Sequence, residues 1–405
     1  MLSTLLLLAS VAKPAEDYWM ATLELSSYTI KPNDVAVAAD KSVYITGTAI
    51  SGSIFHSFLV KYSEAGALQW QRELGVGDVF AGGSQTAYGI TLDSSQNVYV
   101  VGQSSSDSGA FIHSYTSSGI ARWKRSLGSG SDSFTGITTD SADNVYAVGF
   151  TQSSTLGLLL AKYNSSGALQ WQRNLGTGTD RGEGAGFDAN GSIYTAGASV
   201  SGSFFRPLLT KYNSSGTLQW QRTLNVEASS TRAYNVAATE NAAYFATTKT
   251  QSYITKYDTS GSLVWQQTLS GLAAGTYEPG IALDSLENSY LCIGRYIVKY
   301  NVNGSIVWQR EITNTNDYSA IKHLGTSFYV VGVNNAKAFI AKLPDNGNLT
   351  GTYGSFTYQA SSLTTSGGTA TDTTSSLAAT TPTFTDKASA VPDNAGTLTS
   401  TKVDV

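Results

Sequence analysis

The chain has 405 residues, a formal net charge of −4 and 13% charged residues, about half of the ~25% usual in soluble domains. With no basic run and a slight negative excess, it lacks the electrostatic footprint of a nucleic-acid partner. Its single cysteine, Cys292, excludes any disulfide within the chain and sits in an apolar stretch that suits a buried, inert thiol. The 40 glycines and 23 tyrosines, with abundant Ser and Thr, take the place of charge, as on an extracellular or virion surface and equally in any turn-rich all-β protein.

Taken in order, the chain opens on an apolar run, Met1 to Ala12, that imitates a signal peptide. It has no positive n-region, and the run is too short to span a bilayer. Residues 1–16 are therefore expected to be an anchoring segment that packs on another component. No other stretch is apolar enough to cross a membrane. Next comes Trp19, alone in Asp17-Tyr18-Trp19-Met20-Ala21-Thr22-Leu23, before any repeat has begun.

A repeat then runs to Lys342. Its clearest part is an apolar strand ending in Lys-Tyr, a tight turn of the Asn-Ser-Ser-Gly type, and a strand carrying Leu and Trp between polar residues. Copies lie at 59–72, 112–125, 159–173, 209–222, 254–267 and 297–310, each with Gly four residues before Trp. Two strands precede each copy: an inner one of small residues, such as Gly136-Ile137-Thr138-Thr139-Asp140, and one of the type Asn97-Val98-Tyr99-Val100-Val101-Gly102. Four strands recurring every ~40–50 residues predict a β-propeller with one copy per blade, its small residues crowding the axis.

The second-strand tyrosine occurs at Tyr44, Tyr99, Tyr146, Tyr194, Tyr244, Tyr290 and Tyr329. Of the seven tryptophans, Trp70, Trp123, Trp171, Trp220, Trp265 and Trp308 end complete repeats, whereas Trp19 precedes them all. The last repeat has Tyr329 and Lys342 but no tryptophan after them. The two deficits complement each other. The fold class expected is therefore all-β, a seven-bladed β-propeller over residues 17–343, closed when the N-terminal segment supplies the outer strand of the last blade and hides the edges an open sheet would expose.

Within the repeat the tryptophans are expected to pack between blades, burying roughly 150–250 Å² each. The lysines Lys61, Lys162, Lys211, Lys256, Lys299 and Lys342, and the arginine of Trp-Gln-Arg, are expected to snorkel or pair across strands. Asp93, Asp140, Asp188 and Asp284 precede turns and are expected to cap them. One carboxylate per blade is too few for calcium, so no metal or cofactor is expected.

After Lys342 the register fails. Residues 344–405 are rich in Ser, Thr, Ala and Gly, a composition that normally means disorder, yet alternation persists at Thr381-Pro382-Thr383-Phe384-Thr385. This extension is expected to be held by neighbouring chains in a large assembly.

The Gly-x-x-x-Trp spacing after Lys-Tyr resembles the tryptophan-docking repeat of quinoprotein-type propellers. With Asn-Val-Tyr-Val-x-Gly before it, the unit resembles the seven-bladed β-propeller (SBBP) repeats of bacterial surface proteins. Similar Lys-Tyr-Asn-x-x-Gly-x-Leu-x-Trp-Gln-Arg arrays occur in structural proteins of marine bacteriophages, whose Ser/Thr-rich tails the extension also resembles. The resemblance covers roughly residues 17–343 and implies the fold rather than an activity. The vicinal cysteines of quinoprotein dehydrogenases have no counterpart beside the lone Cys292.

No catalytic residues are assigned. His56, His113 and His323 fall in different blades without a nucleophile motif. Asp180, Glu183, Asp132 and Glu278 are placed to converge near one ring opening, but nothing in the sequence selects the pair that glycosidase chemistry needs. In propeller topology the short, uniform turns share one face, while the second-to-third loops and the links between blades share the other. That loop face carries Phe55, His56, Phe80, Arg181, Phe204, Phe205, Arg206, Arg232, Tyr234, Tyr277 and Tyr318, an aromatic and arginine set of the kind found at hot spots and also compatible with ordinary loop composition. Both tails are expected to leave from the uniform-turn face. The chain thus reads as a non-enzymatic virion structural protein of a bacteriophage tail or fibre, in several copies per particle. Residues 1–16 and 344–405 would bind other virion proteins, and the loop face a host glycan or surface protein. The alternatives are a bacterial cell-surface or secreted binding module and a polysaccharide-degrading enzyme.

Overall fold

The structure is a computed structural model that describes residues 18–404, apart from residue 26 and the segments 75–83, 106–108, 129–130, 153–156, 177–179, 226–229, 249–251, 273–277, 368–370, 375–378, 381–385, 389–392 and 396–398. The expected anchor at 1–16 lies outside the described residues. Every regular element among them is a strand, and the strands form seven antiparallel sheets. Blade 1 consists of Thr29–Val37, Val43–Ser51, Ile54–Tyr62 and Leu68–Leu74, from the axis outwards. The inner strands of blades 2 to 7 are Gln85–Leu92, Ser133–Thr139, Arg181–Phe187, Arg232–Ala238, Gly280–Leu283 and Asp317–Leu324.

Closure follows the complementarity of the two deficient ends. The strand Trp19–Glu24 pairs antiparallel with the third strand of blade 7, Lys337–Pro344, with Trp19 opposite Lys342 and Leu23 opposite Ala338. The ring therefore has seven blades. Among the described residues its core is divided into seven apolar clusters, one between each pair of neighbouring sheets. Cys292 lies in the cluster between blades 6 and 7, and burial pushes its thiol pKa far above the ordinary value.

The tryptophans join each blade to the next. Trp19 Nε1 donates to the Glu64 carbonyl at 2.9 Å, Trp70 to Ser117 at 3.1 Å, Trp123 to Ser165 at 3.0 Å and Trp171 to Ser214 at 3.3 Å. Trp220, Trp265 and Trp308 donate in the same way to Thr259, Val302 and Asp345. Each acceptor lies in the turn that follows the third strand of the next blade. The glycine of that turn lies against the indole, so the Gly-x-x-x-Trp spacing encodes one half of a joint whose other half is a repeat away. The arginine two residues on reaches the same turn: Arg125 Nε donates to the Gly167 carbonyl at 2.7 Å and Arg173 Nε to Gly216 at 2.8 Å.

Gly167 shows why the position admits no side chain. Its φ is +82° and an added Cβ would stand 2.5 Å from Trp123 Cδ2. Gly167→Ala is expected to cost at least about 2 kcal/mol, from the left-handed backbone plus the displaced indole. Gly191 has φ +87° with nothing within 4 Å of its added Cβ, so Gly191→Ala carries the backbone cost alone. Denaturant unfolding of both variants isolates the docking contribution, which should appear as an excess in Gly167→Ala.

The C-terminal extension lies on the chain's own blades. The strand Phe356–Ala360 adds to the outer edge of blade 6, and Thr364–Gly367 to blade 5. Thr371–Thr374, Ala379–Thr380, Asp386–Ala388 and Asp393–Ala395 follow on blades 4, 3, 2 and 1. Thr399–Asp404 then pairs with Trp19–Glu24 on blade 7, bringing Asp404 opposite Trp19. The extension thus circles the ring against sequence order and gives each blade a fifth strand. The described strands of the extension find their partner edges within the chain, whereas the alternating stretch 381–385 lies outside the described residues.

Candidate functional site

The inner strands do not run smoothly. Register shifts occur between Pro32 and Asp34, Ala87 and Gly89, Phe134 and Gly136, Gly182 and Gly184, Ala233 and Asn235, and Tyr318 and Ala320. Each skips one residue: Asn33, Tyr88, Thr135, Glu183, Tyr234 and Ser319. A β-bulge of this kind re-aims a side chain out of the ladder. All six bulged residues line one cavity of about 270 Å³ on the ring axis, with Lys31, Asp34, Arg181, Arg232, Glu278 and Lys322. Lys31 and Glu278, whose side chains are 45% and 59% exposed, mark its mouth at the start of the inner strands, on the loop face.

Two cations dominate the interior. The Arg181 guanidinium lies 4.3 Å from the Phe150 ring centroid, and that of Arg232 lies 4.5 Å from the Phe205 ring centroid. The blade 4 hairpin positions Phe205: the Phe205 carbonyl accepts from Thr231 N at 2.9 Å and Phe205 N donates to Ser230 Oγ at 3.2 Å. Arg232 Nη1 reaches Glu183 Oε1 at 3.4 Å. No hydrogen-bond acceptor or ion-pair partner among the described residues meets the Arg181 guanidinium. Burial and the neighbouring Arg232 lower its pKa from an already high value, so it stays charged.

The carboxylates respond in the opposite sense. Burial pushes Glu183 up to about 7 against the pull of Arg232 and Arg181. Asp317 is likewise raised to about 7, by burial and then by Glu278, with Lys31 opposing. Desolvation also raises Asp34, although its carboxylate accepts from Val35 N at 2.8 Å and Ile90 N at 3.0 Å and so ties blades 1 and 2 together. Protonated or paired acids between cations make a site able to accept an added negative charge.

Of the residues expected on the loop face, Arg181, Arg232 and Tyr234 meet in the cavity, with Phe205 behind Arg232. Phe204 lies apart from it, stacked under Arg206 at 5.5 Å. Phe55 and His56 lie on the blade 1 hairpin, where His56 Nδ1 is 3.1 Å from Glu73 Oε1. Tyr318 is misplaced by the sequence reading. It is fully buried against Phe339, because it precedes the bulged Ser319 and so faces the blade interior. Phe80 and Tyr277 lie outside the described residues. The second-to-third connections of blades 1 and 4, residues 48–57 and 199–207, are extended hairpins rather than open loops, turned by Gly52 and Gly202 with φ of 59° and 63°.

The four acidic residues offered for catalysis separate into two kinds. Asp132 accepts from Gln152 N at 2.8 Å and Asp180 from Val200 N at 3.1 Å, both buried and both tying links between blades to adjacent hairpins. Only Glu183 and Glu278 line the cavity. The histidines stay apart. His113 is buried with its pKa pushed well down, and His323 stacks on Tyr290 and reaches Asp345 Oδ2 at 3.1 Å. The capping aspartates hold their turns and the second-strand tyrosines, as in Tyr99 to Asp93 at 2.8 Å and Tyr146 to Asp140 at 2.9 Å. Lys61, Lys162, Lys211, Lys256 and Lys299 each lie over the second-strand tyrosine of their blade, Lys162 at 5.0 Å from the Tyr146 centroid.

These features define a seven-bladed tryptophan-docking β-propeller with a charged axial cavity, a fold consistent with a binding module. Residues 157–347 match the family described as outer membrane protein assembly factor BamB, and residues 69–109 match the β-propeller repeat family SBBP. No curated protein matches the chain at a significant level. Among solved structures, a catalytically inactive variant of virginiamycin B lyase from Staphylococcus aureus with quinupristin is similar, with a TM-score of 0.55 and 14% identity over 80% of this chain and 99% of that one. The WD40 β-propeller domain of Doa1 is similar with a TM-score of 0.56 and 12% identity over 80% of this chain and 96% of that one. At these identities the likeness is one of fold.

Proposed function

We propose that the protein is a non-enzymatic binding module whose axial cavity takes a small anionic, polyhydroxylated group, such as the carboxylate-bearing end sugar of a surface glycan. The observation that carries this is Arg181, a guanidinium with five donors and no acceptor among the described residues, aimed into a cavity it shares with Arg232, Tyr88 and Tyr234. The volume of about 270 Å³ is just under the ~300–1,000 Å³ of drug-sized sites and suits one ring. Glu278 and Asn33 supply acceptors for sugar hydroxyls. Titration calorimetry with glucuronate and glucose tests the reading. Glucuronate should bind and glucose should not, and Arg181→Ala should weaken glucuronate roughly ten- to hundred-fold, as expected for one charged hydrogen-bond partner. Equal binding of both sugars, or an unchanged Arg181→Ala variant, would refute it.

The narrower role is that of a phage virion structural protein of tail or fibre, present in several copies. It rests on the likeness of the Lys-Tyr-Asn-x-x-Gly-x-Leu-x-Trp-Gln-Arg array to those of marine phages. Residues 1–16 and the uniform-turn face would then meet other virion proteins, and the cavity face the host. Mass spectrometry of purified particles against cell-envelope fractions decides between this and a bacterial surface module.

One observation favours an enzyme instead. Glu183, a largely buried acid raised to about 7, shares the cavity with a second carboxylate, Glu278, the residue types from which a glycosidase draws its acid and its nucleophile or base. A neighbouring fold carried by a lyase also shows that propellers of this shape serve catalysis. Release of reducing ends from an acidic polysaccharide, abolished in Glu183→Gln, would establish that reading over binding alone.

A further inference from the structure

The extension meets every blade at one place. Its register sets Tyr358 opposite Ile312, Thr365 opposite Leu269, Asp372 opposite Leu224 and Ala379 opposite Leu175. It continues with Asp386 opposite Leu127, Asp393 opposite Leu74 and Ser400 opposite Leu23. On the blades each partner stands four residues after the docking tryptophan, and on the extension the partners recur every seven residues. The sequence carries the same period two positions earlier, at Phe356, Leu363, Ala370, Leu377, Phe384, Val391 and Leu398. Seven residues reach at most about 23–25 Å, which bounds the step from one outer edge to the next.

Where side chains are described, the apolar member of each heptad is buried. Phe356 enters the cluster between blades 6 and 7, its ring 4.7 Å from that of Phe339. Leu363 enters the cluster between blades 5 and 6, which also holds Leu269 and Ile254. The residues flanking Leu363, Ser362 and Thr364, are exposed. One apolar contact per stride, with polar residues between, is what a strand laid across successive blade edges needs.

We propose that residues 356–404 form a heptad-coded belt, one seven-residue stride per blade, which occupies the fifth-strand seat of its own ring and closes the outer edges to other chains. Seven unpaired outer strands would each be a template for β-augmentation. A belt ending on Trp19–Glu24 also fastens the strand that completes blade 7. The occupant is the chain's own extension, since the seven-residue stride meets all seven blades at the same register, from Ile312 round to Leu23.

Two full-length variants test the coding. In one, residues 371–404 keep their composition but the apolar residues lose the seven-residue spacing. In the other, the polar residues are shuffled and the apolar positions kept. Hydrogen exchange is read on the outer strands Leu218–Asn225, Leu169–Leu175, Ala121–Leu127 and Leu68–Leu74, with the inner strands reporting that the ring itself is intact. The first variant should exchange at least about tenfold faster on those outer strands, and the second should match the parent. Equal behaviour of the two variants, whether both protected or both exposed, would overturn the coding. Protection of the parent that fades on dilution would overturn the intramolecular seat in favour of a second copy's extension.

Discussion

Trp19→Ala is expected to lower stability by about 3–5 kcal/mol, the upper range for truncating a fully buried tryptophan. The ring is completely enclosed, stacks on Tyr62 at 5.9 Å and 27°, and donates to the Glu64 carbonyl at 2.9 Å. Trp171 makes the equivalent joint between blades 3 and 4 but is partly exposed, with a longer bond of 3.3 Å to Ser214. Its strand is held in the blade by a turn on one side, whereas Trp19–Glu24 has no covalent link to Lys337–Pro344 across the closure. Loss of the indole there releases a strand that closes the ring and seats the end of the belt. Trp171→Ala should therefore cost less. It should also leave exchange at Lys337–Pro344 unchanged, whereas Trp19→Ala should accelerate it. Equal unfolding midpoints in denaturant for the two variants would mean that closure does not depend on the N-terminal strand.

That closure was legible because it is an arithmetic of large, rare residues. Seven tryptophans, seven tyrosines and a turn glycine at fixed spacing survive variation elsewhere, since each indole must meet one glycine of the next blade. The cavity was legible only in part. Arg181, Arg232 and Tyr234 stood out as scarce residue types near the loop face. Asn33, Tyr88, Thr135 and Ser319 did not, because a one-residue bulge in a strand of small residues leaves no trace in a twofold hydrophobic pattern. Tyr318 was misassigned for the same reason, since a bulge beside it reverses which neighbour faces the axis. The extension was the least legible. Seven is an odd number, so the inward face changes parity at each stride and twofold alternation cancels over the whole segment. Only a search at a seven-residue period finds Phe356, Leu363 and their successors.

Affinity for an anion in the axial cavity should rise as pH falls through about 7, by on the order of tenfold between pH 8 and pH 6. The cause is Glu183, whose pKa burial raises from 4.5 to about 7. Above that value its carboxylate is ionised, pairs with Arg232 and repels an incoming anion; below it, both guanidiniums are left to the ligand. Stability follows the same proton. The folded-state pKa lies above the unfolded one, so the folded chain holds more protons between about 4.5 and 7. The unfolding free energy must then decline as pH rises across that window and level off beyond it. Asp317, raised from 3.8 to about 7, adds to the same slope. Glu183→Gln removes the titration while keeping the shape. It should bind glucuronate at pH 8 about as tightly as the parent does at pH 6, with a flat profile between. Asp317→Asn, whose position beside the mouth is not in contact with Arg232, should flatten part of the stability profile and leave the binding profile as it is. A parent profile that is flat through neutrality, or one that survives Glu183→Gln, would show that the anion does not meet the Arg181 and Arg232 pair.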